Sequence, residues 1–415
     1  MKKVLSILLS VAMIVLCFAA CGKTDGDKSS TGKAANVKVG FIFLHDENST
    51  YDKNFITAAE EACKKAGVEI LKKTNISETQ ACYDAAAELV DEECNVIFAD
   101  SFGHEPYVIQ AAKKFPEVQF LHATGTKAHT EGLSNYHNAF ASIYEGRYLA
   151  GVAAGMKLNE MISSGKITAD KAKMGYVGAY TYAEVISGYT SFYLGAKSVC
   201  PSVTMEVTFT GSWYDETAEK EAAQKLINNG CVLISQHADS MGAPTACEAA
   251  GVPNVSYNGS TVSACPNTFI VSSRIDWAPY LEYAIDCVKN GKAIDTDWTG
   301  TLSTGSVVLT DVNTKAAAEG TQAKIDEVKA ELEGGKLHVF DTSAFTVTVS
   351  DSKNKNATVD ADGHLTGYKA DIDSDADNTG DTEVVSDGYF HESEKRSAPC
   401  FDVQIDGITL LDTKF

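Results

Sequence analysis

The sequence predicts an α/β protein made of two doubly wound, Rossmann-like lobes joined by a hinge, with a small β-rich appendage at the C-terminal end. Three observations carry this reading. Short apolar runs alternate with amphipathic helical segments from Val37 onward. The alternation falls into two blocks of βαβα, each about 110–120 residues long, which is the layer pattern of a parallel sheet covered by helices. After Gly334-Gly335-Lys336 it gives way to short alternating segments between Asn, Asp and Gly turns.

In the first block, Val37–Leu44 (VKVGFIFL) is a continuous apolar run, as expected of a strand buried on both faces. Asp52–Gly67 places Phe55, Ala59, Ala62, Cys63 and Ala66 at helical spacing, with Gly67 as a stop. Val68–Leu71 is a short strand. Ser77-Glu78-Thr79-Gln80 opens the next helix, and Asn95–Ala99 is the next strand. Glu105–Phe115 reads as a helix, Val118–Ala123 as a strand, and Tyr144–Lys157 as an Ala- and Gly-rich helix. The second block repeats the rhythm. Its strands are Met174–Gly178, Met205–Thr210, Cys231–Ser235 and Asn254–Tyr257, and its helices are Ala183–Val199, Glu216–Asn229 and Met241–Ala250. Thr268–Ser272 and the helix Trp277–Asn290 are expected to return to the first lobe. The resulting boundaries are 36–150 plus about 268–310 for the first lobe, 151–267 for the second and 311–415 for an acidic extension. Within that extension Ala316–Leu332 has helical spacing, and Val339-Phe340, Phe345–Val349 and Asp402–Leu411 read as strands.

The N-terminus reads as an export signal. Met1-Lys2-Lys3 is basic, and Val4 to Ala20 is an apolar run of 17 residues ending in Phe18-Ala19-Ala20-Cys21. Gly22 to Ala35 is small and polar, a flexible tether. The formal net charge is −21. So acidic a chain is repelled by phosphate backbones, so nucleic acid is not expected as a partner. From Asp311 to Phe415 there are 22 acidic and 10 basic residues, a net −12, so over half the charge sits in the last quarter. Of 11 cysteines, Cys17 leaves with the signal and Cys21 sits at the cleavage point. No pair has Cys-x-x-Cys spacing, so a zinc ribbon or thioredoxin site is not expected. Cys63, Cys231 and Cys287 fall in apolar patterns and read as core residues. Export permits some disulfides, but nine remaining cysteines leave at least one free.

Open α/β sheets bind ligands beyond the carboxyl ends of their strands. In the first block those ends carry His45-Asp46-Glu47-Asn48 with Tyr51-Asp52, then Asp100-Ser101-Phe102, then Thr124-Gly125. In the second block they carry Tyr180-Thr181-Tyr182, Trp213-Tyr214-Asp215, Gln236-His237-Ala238-Asp239-Ser240, Asn258-Gly259 and Arg274-Ile275-Asp276-Trp277. Rings and carboxylates recur. Rings stack on a flat ligand and carboxylates accept from its N–H groups. A flat, nitrogen-rich heterocycle fits this combination. A sugar also suits the rings but calls for more polar groups around it.

At these residues the chain resembles the basic-membrane-protein family of substrate-binding lipoproteins for ABC importers, and within it the purine-base-binding branch. The matching stretches are Phe102-Gly103, His122-Ala123-Thr124-Gly125, Tyr144-Glu145-Gly146-Arg147-Tyr148, Trp213-Tyr214-Asp215, Gln236-His237-Ala238-Asp239-Ser240 and Trp277-Ala278-Pro279-Tyr280. Each is weak alone; their order and spacing from about Val37 to Leu309 make the match specific. The resemblance implies a type I periplasmic-binding-protein-like fold and a purine nucleoside or nucleobase ligand. It implies permease and ATPase partners, and lipidation of Cys21 that holds a monomer on the outer face of the cell membrane. It implies no chemistry and no cofactor. It also implies that the ligand lies between two rings, at the positions of Phe55 and Trp213. Nucleoside-binding members carry an acid and a lysine for the ribose where this chain has Ser256, Asn258, Ser273 and Arg274. Hydrogen bonds to charged groups contribute about 1.5–3 kcal/mol each, so this departure favours a free base.

Further candidates are Asn54 for a ring nitrogen, Phe102 to close the cleft edge-on, and His237, Asp239, Ser240, Asn258, Asp276 and Trp277 at strand ends. Asp239 accepts from a ligand amine or caps the helix that follows; Asp276 has the same two readings. Asn54 has a solvated helix face as its alternative. Other classes remain open. His45, His104, His122 and His237 all fall near strand ends and could gather as metal ligands. A signalling receptor without transport is another. No Gly-x-Ser-x-Gly, Gly-x-x-x-x-Gly-Lys or His-Glu-x-x-His motif occurs, so those enzyme classes lack support. Asp371-x-Asp373-x-Asp375-x-Asp377 lacks the Gly and Glu of a calcium-binding EF-hand loop and reads as a solvated acidic loop.

Overall fold

The computed structural model describes residues 37–350, 352–374 and 380–413. The signal, Cys21 and the tether lie outside the described residues, as do Asp375 and Asp377 of the acidic loop. In chain order the first lobe runs β1 (Lys38–Ile42), α1 (Thr50–Ala66), β2 (Glu69–Lys73), α2 (Gln80–Asp91), β3 (Val96–Ala99), α3 (Glu105–Lys114), β4 (Gln119–Ala123) and β5 (Tyr136–Ala141). The second runs α4 (Ile143–Ser163), β6 (Lys173–Gly178), α5 (Ala183–Val199), β7 (Thr204–Phe209), α6 (Glu216–Asn228), β8 (Leu233–His237), α7 (Gly242–Ala250), β9 (Asn254–Tyr257) and β10 (Phe269–Ile275). Then come α8 (Ala278–Lys289), β11 (Asp297–Gly300), β12 (Val307–Leu309) and α9 (Thr321–Glu333). The extension ends with β13 (Ala357–Val359), β14 (Leu365–Ala370), β15 (Thr382–Glu383), β16 (Val385–Ser386), β17 (Tyr389–Phe390) and β18 (Ile408–Leu410).

Two sheets result. The first has the order β11-β5-β4-β3-β1-β2 and is parallel throughout. The second has the order β12-β10-β9-β8-β6-β7-β18, parallel except for the β10–β12 pair. Local signals start and stop the helices where the sequence suggests. Ser49 accepts from the Asp52 N–H to cap α1, and Gly67 ends it in the left-handed region at φ 65°.

Four expectations are corrected. The apolar run at 268–272 does not return to the first lobe. It continues to Ile275 as β10 and pairs with β9 and β12 in the second sheet. The return comes one element later, through α8 and β11. Lys289 Nζ donates to Ala66 O at the end of α1 (2.8 Å), and β11 pairs with β5. The boundary near 150 moves to Ser142, because α4 packs on α5 of the second lobe. The extension is not a detached appendage: β18 adds an edge strand to the second sheet. Phe345–Val349 contributes only an isolated bridge, Val347 to Ile405. The nine described cysteines are buried and free, so no disulfide forms among them.

The chain crosses between lobes three times: after β5, between β10 and α8, and between β11 and β12. Short bonds bind these crossings together. Ser142 N–H donates to Gly300 O (2.8 Å) and Asp276 N–H to Ser306 O (2.7 Å). Beside them α4 and α5 cross at backbone contact. A Cβ on Gly151 would lie 2.0 Å from Phe192 O, and one on Gly195 would lie 2.0 Å from Tyr148 O. Both obstacles are backbone, which cannot rotate away. Gly151→Ala is therefore expected to cost about 1–3 kcal/mol, read as a lower urea midpoint; an unchanged midpoint would show that the two helices are not in contact.

Candidate functional site

The strand ends of the two sheets face each other across a slot with about 370 Å³ of unfilled space. The first lobe contributes Leu44 and His45 after β1, Tyr51 and Asp52 from the start of α1, Ser101 and Phe102 after β3, and Thr124 after β4. The second contributes Glu184 from the start of α5, Trp213 after β7, His237 and Asp239 at the end of β8, and Tyr257 at the end of β9. The lobes touch around this slot. Asp239 O accepts from the Thr50 N–H (3.0 Å) and hydroxyl (3.1 Å). The His45 ring lies 5.4 Å from Tyr214, and Phe102 lies 5.3 Å from Tyr182. Phe102 and Tyr182 are the exposed pair, at 38% and 41% of full accessibility, and mark the slot's rim. Tyr182 in turn stacks on Tyr180, which meets Trp213 edge-on at 5.1 Å.

The slot is acidic, and no Lys or Arg lines it. Asp52 is buried, which raises its pKa. Hydrogen bonds from the His45 ring, Ser49 and the His45 N–H outweigh this and hold the carboxyl below its usual range. The His45 N–H donates to Asp52 Oδ1 at 2.7 Å. Asp100 lies behind it and is pushed well above the carboxylate range by burial and then by the charge of Asp52. Asp239 is pushed well up by burial, then by Glu219 and Asp52. Asn258 opposes this by donating to Asp239 Oδ1 (3.1 Å). Glu219, also raised by burial to about 7, accepts from the Ser240 N–H. Burial keeps His237 below the usual imidazole range, although Glu184 at 3.3 Å works the other way. The walls are thus rings, acceptors and carboxyls; Asp239 in the wall, with Asp100 and Glu219 behind it, is driven toward the neutral form.

The expected site residues divide into three groups. Phe102, Trp213, His237 and Asp239 line the slot. Asn54, Asn258 and Asp276 line a separate polar groove that also holds Lys53 and Arg274. Within it Asp276 caps α8, accepting from the Ala278 N–H (3.0 Å), and pairs with Arg274 (3.4 Å). Phe55, Trp277 and Ser240 face neither space. Phe55 and Trp277 stack on each other in the first lobe's core, centroids 4.4 Å apart. The reason is helical phase and depth: Phe55 sits one turn further along α1 than Tyr51 and packs edge-on beneath it at 4.9 Å. Ser240 turns inward, its hydroxyl accepting from the Gly242 N–H (3.0 Å) at the start of α7. The strand-end reading also named His45, Tyr51, Asp52, Ser101 and Thr124 without giving them a role, and it did not name Leu44, Glu184 or Tyr257. Each stands at a strand end or in a helix's first turn, and that position is the signal that finds them.

The four strand-end histidines do not gather. His104 Nε2 bonds to Ile76 O, His122 Nε2 to Ser101 O, and His45 and His237 pair with separate carboxylates. Among the described residues no cluster of His, Cys, Asp and Glu could hold a metal ion.

Behind the slot lies one buried cation. Arg147 of α4 is fully buried and donates to Tyr176 OH (3.2 Å), Ser235 Oγ (2.7 Å), Ser256 O (3.2 Å) and Ser273 Oγ (3.3 Å). These acceptors sit on β6, β8, β9 and β10, four consecutive strands. Its guanidinium also lies 5.2 Å from the Tyr257 ring, the slot's back wall. Arg147 therefore bolts the sheet directly behind the slot.

Residues 41–336 match the family described as PnrA-like ABC transporter substrate-binding proteins, or Bmp. The chain belongs to that family. A purine-binding protein of Brucella abortus is 30% identical over 310 residues, 73% of this chain and 83% of the relative. A putative ABC transporter glucose-binding protein of Haloferax volcanii is 27% identical, covering 78% of each chain. An ABC transporter solute-binding protein of Aeropyrum pernix shares the fold, with TM-score 0.61 at 17% identity over 76% of this chain and 94% of its own. As a Bmp protein the chain is an extracytoplasmic substrate-binding protein, with a small-molecule ligand and permease and ATPase partners.

Arg147→Ala removes four donated bonds and opens a cavity in this Bmp protein. The expected loss is about 3–5 kcal/mol of stability, seen as a fall in denaturation midpoint. A loss below about 1 kcal/mol would contradict the bolting role.

Proposed function

We propose that this protein captures a free purine base between its lobes and presents it to a permease, anchored as a monomer by a lipid on Cys21. One observation carries the ligand assignment: the slot combines stacking rings with hydrogen-bond acceptors and carboxyls, and has no cation. A purine base presents two flat faces to Trp213 and the other rings. Its N–H edge meets Asp239, Asp52, Glu184 and His237. Asp239, which burial drives toward its neutral form, can ionise when a ligand N–H is offered, so its desolvation is offset only by a suitable ligand. Phosphorylated ligands are disfavoured, because a phosphate would meet this acidic wall without a counter-charge. The name of the Brucella relative supports the purine class.

A nucleoside is the second reading. The polar groove with Asn54, Asn258, Arg274 and Asp276 lies beyond the contact between Thr50 and Asp239, and could receive a sugar. That contact would have to part first, and the base reading keeps it closed. The Haloferax relative makes glucose a necessary comparison.

Titration calorimetry on the protein from Asn36 onward, unfolded and refolded to strip carried ligand, separates these readings. Adenine, guanine or hypoxanthine is expected to bind more tightly than adenosine, with AMP and glucose silent. Trp213→Ala is expected to weaken base binding by about 5- to 150-fold, the equivalent of about 1–3 kcal/mol of stacking. Tighter binding of adenosine moves the assignment to a nucleoside; binding of glucose alone overturns the purine reading.

A further inference from the structure

The family match ends at residue 336, and the extension that follows is bonded to both lobes. We propose that the described residues between 337 and 413 form a strap, rooted in the second lobe and latched to the first, that biases the lobes toward the closed arrangement.

The root is built as part of the second lobe. β18 runs parallel to β7, with Ile408, Thr409 and Leu410 opposite Met205, Glu206 and Val207. Asp412 closes the end of this pairing. It accepts from the Thr208 hydroxyl (2.6 Å) and the Phe209 N–H (3.2 Å), with Lys225 at 3.8 Å. Gly407 enters the pairing at φ 93°, and a Cβ there would lie 2.1 Å from Tyr193 OH. The root therefore depends on backbone pairing, a carboxylate anchor and a close approach that only glycine permits.

Between its two ends the strap is packed rather than slack. Phe340 stacks on Phe401 at 4.0 Å, and Phe390 meets Phe401 edge-on at 4.8 Å. Buried Glu392 accepts from the Cys400 and Phe401 N–H groups at 3.0 and 2.9 Å. Arg396 donates to the carbonyls of Ala398, Pro399, Asp371 and Ile372. This stiff arm can carry load from one end to the other, where a random-coil tail could not.

The latch is lighter. On the first lobe's edge strand, Thr299 donates to Ser393 O (3.3 Å) and Asp297 Oδ2 accepts from the Ser397 N–H (2.8 Å). Thr130 donates to Asp373 O. At the first crossing, Tyr144 donates to Glu392 O (3.3 Å) and packs against Phe340 at 5.4 Å. A few hydrogen bonds of about 1 kcal/mol each hold this end, against a paired strand at the other. When the lobes part, the latch is the end that yields. The covalent crossings alone permit opening; the strap adds a tie whose release opposes it. A ligand that favours the closed state then has less of the population left to shift.

The test uses the full chain without ligand, with spin labels carried by genetically encoded residues at Lys113 in α3 and Lys220 in α6, one on each lobe. The double variant Asp297→Ala/Thr299→Val removes the two latch bonds made by β11, leaves the one from Thr130, and changes no residue of the slot. The expected result is a new population at longer inter-label distance, with exchange of the Ser397 amide about tenfold faster or more. The milder single variant Thr299→Val keeps Asp297, guards against misfolding, and should shift the distances the same way by less. A freed Ser397 amide with an unchanged distance distribution overturns the strap. A Ser397 amide that stays protected without Asp297 overturns the latch. Neither readout depends on which ligand the slot takes.

Discussion

Each sheet buries both of its faces under helices, and this constraint determines where function can reside. Parallel sheets of this kind offer a ligand no open face. What remains accessible is the row of carboxyl ends, and the two rows meet across one slot. The residue after each strand is therefore held by a rigid sheet yet free to choose its chemistry. His45, Phe102, Thr124, Trp213, Asp239 and Tyr257 all owe their positions to this. The α1 and α5 N-termini add Tyr51, Asp52 and Glu184 for the same geometric reason.

The electrostatic design follows from the burial. Several carboxyls converge with no cation in the slot, and burial first, then neighbouring charge, drives Asp239 and the Asp100 behind the slot toward their protonated form. The positive charge behind the slot, Arg147, is spent on the sheet, with its guanidinium over the Tyr257 ring. An uncompensated buried cation is costly unless its donors are used, and here four are. The slot therefore stays rich in acceptors, which suits a ligand made of ring faces and N–H groups.

Much of this was legible in the sequence. Continuous apolar runs gave the buried strands, and strand-end reading located the slot from Phe102, Trp213, His237 and Asp239. What failed did so for physical reasons. β5 was passed over because its sequence, YHNAFA, looks too polar for a central strand. Its polar side chains are buried but satisfied: His137 bonds to Gln119 and to Asp295 O, and Asn138 accepts from the Ala128 N–H. Phe55 was misplaced because periodicity gives the face of a helix but not the depth along it. Trp277 was misplaced because a ring after a strand can turn back into the core, as this one does onto Phe55. The lobe assignment of β10 depends on which strand edge is free, a fact of three dimensions that no local pattern carries. The extension's bonds to both lobes are hidden for the same reason, since the partners of Ser393, Ser397 and Asp412 lie between 94 and 204 residues earlier in the chain.

The proposed account is of a substrate-binding protein that closes on a small flat molecule. The most direct test of that account is mass spectrometry of the small molecules released when the purified protein is denatured. A purine base released in near-equal amount to the protein is the predicted result. Release of a phosphorylated or carboxylated compound in that amount would contradict it, because the slot has no cation to hold one.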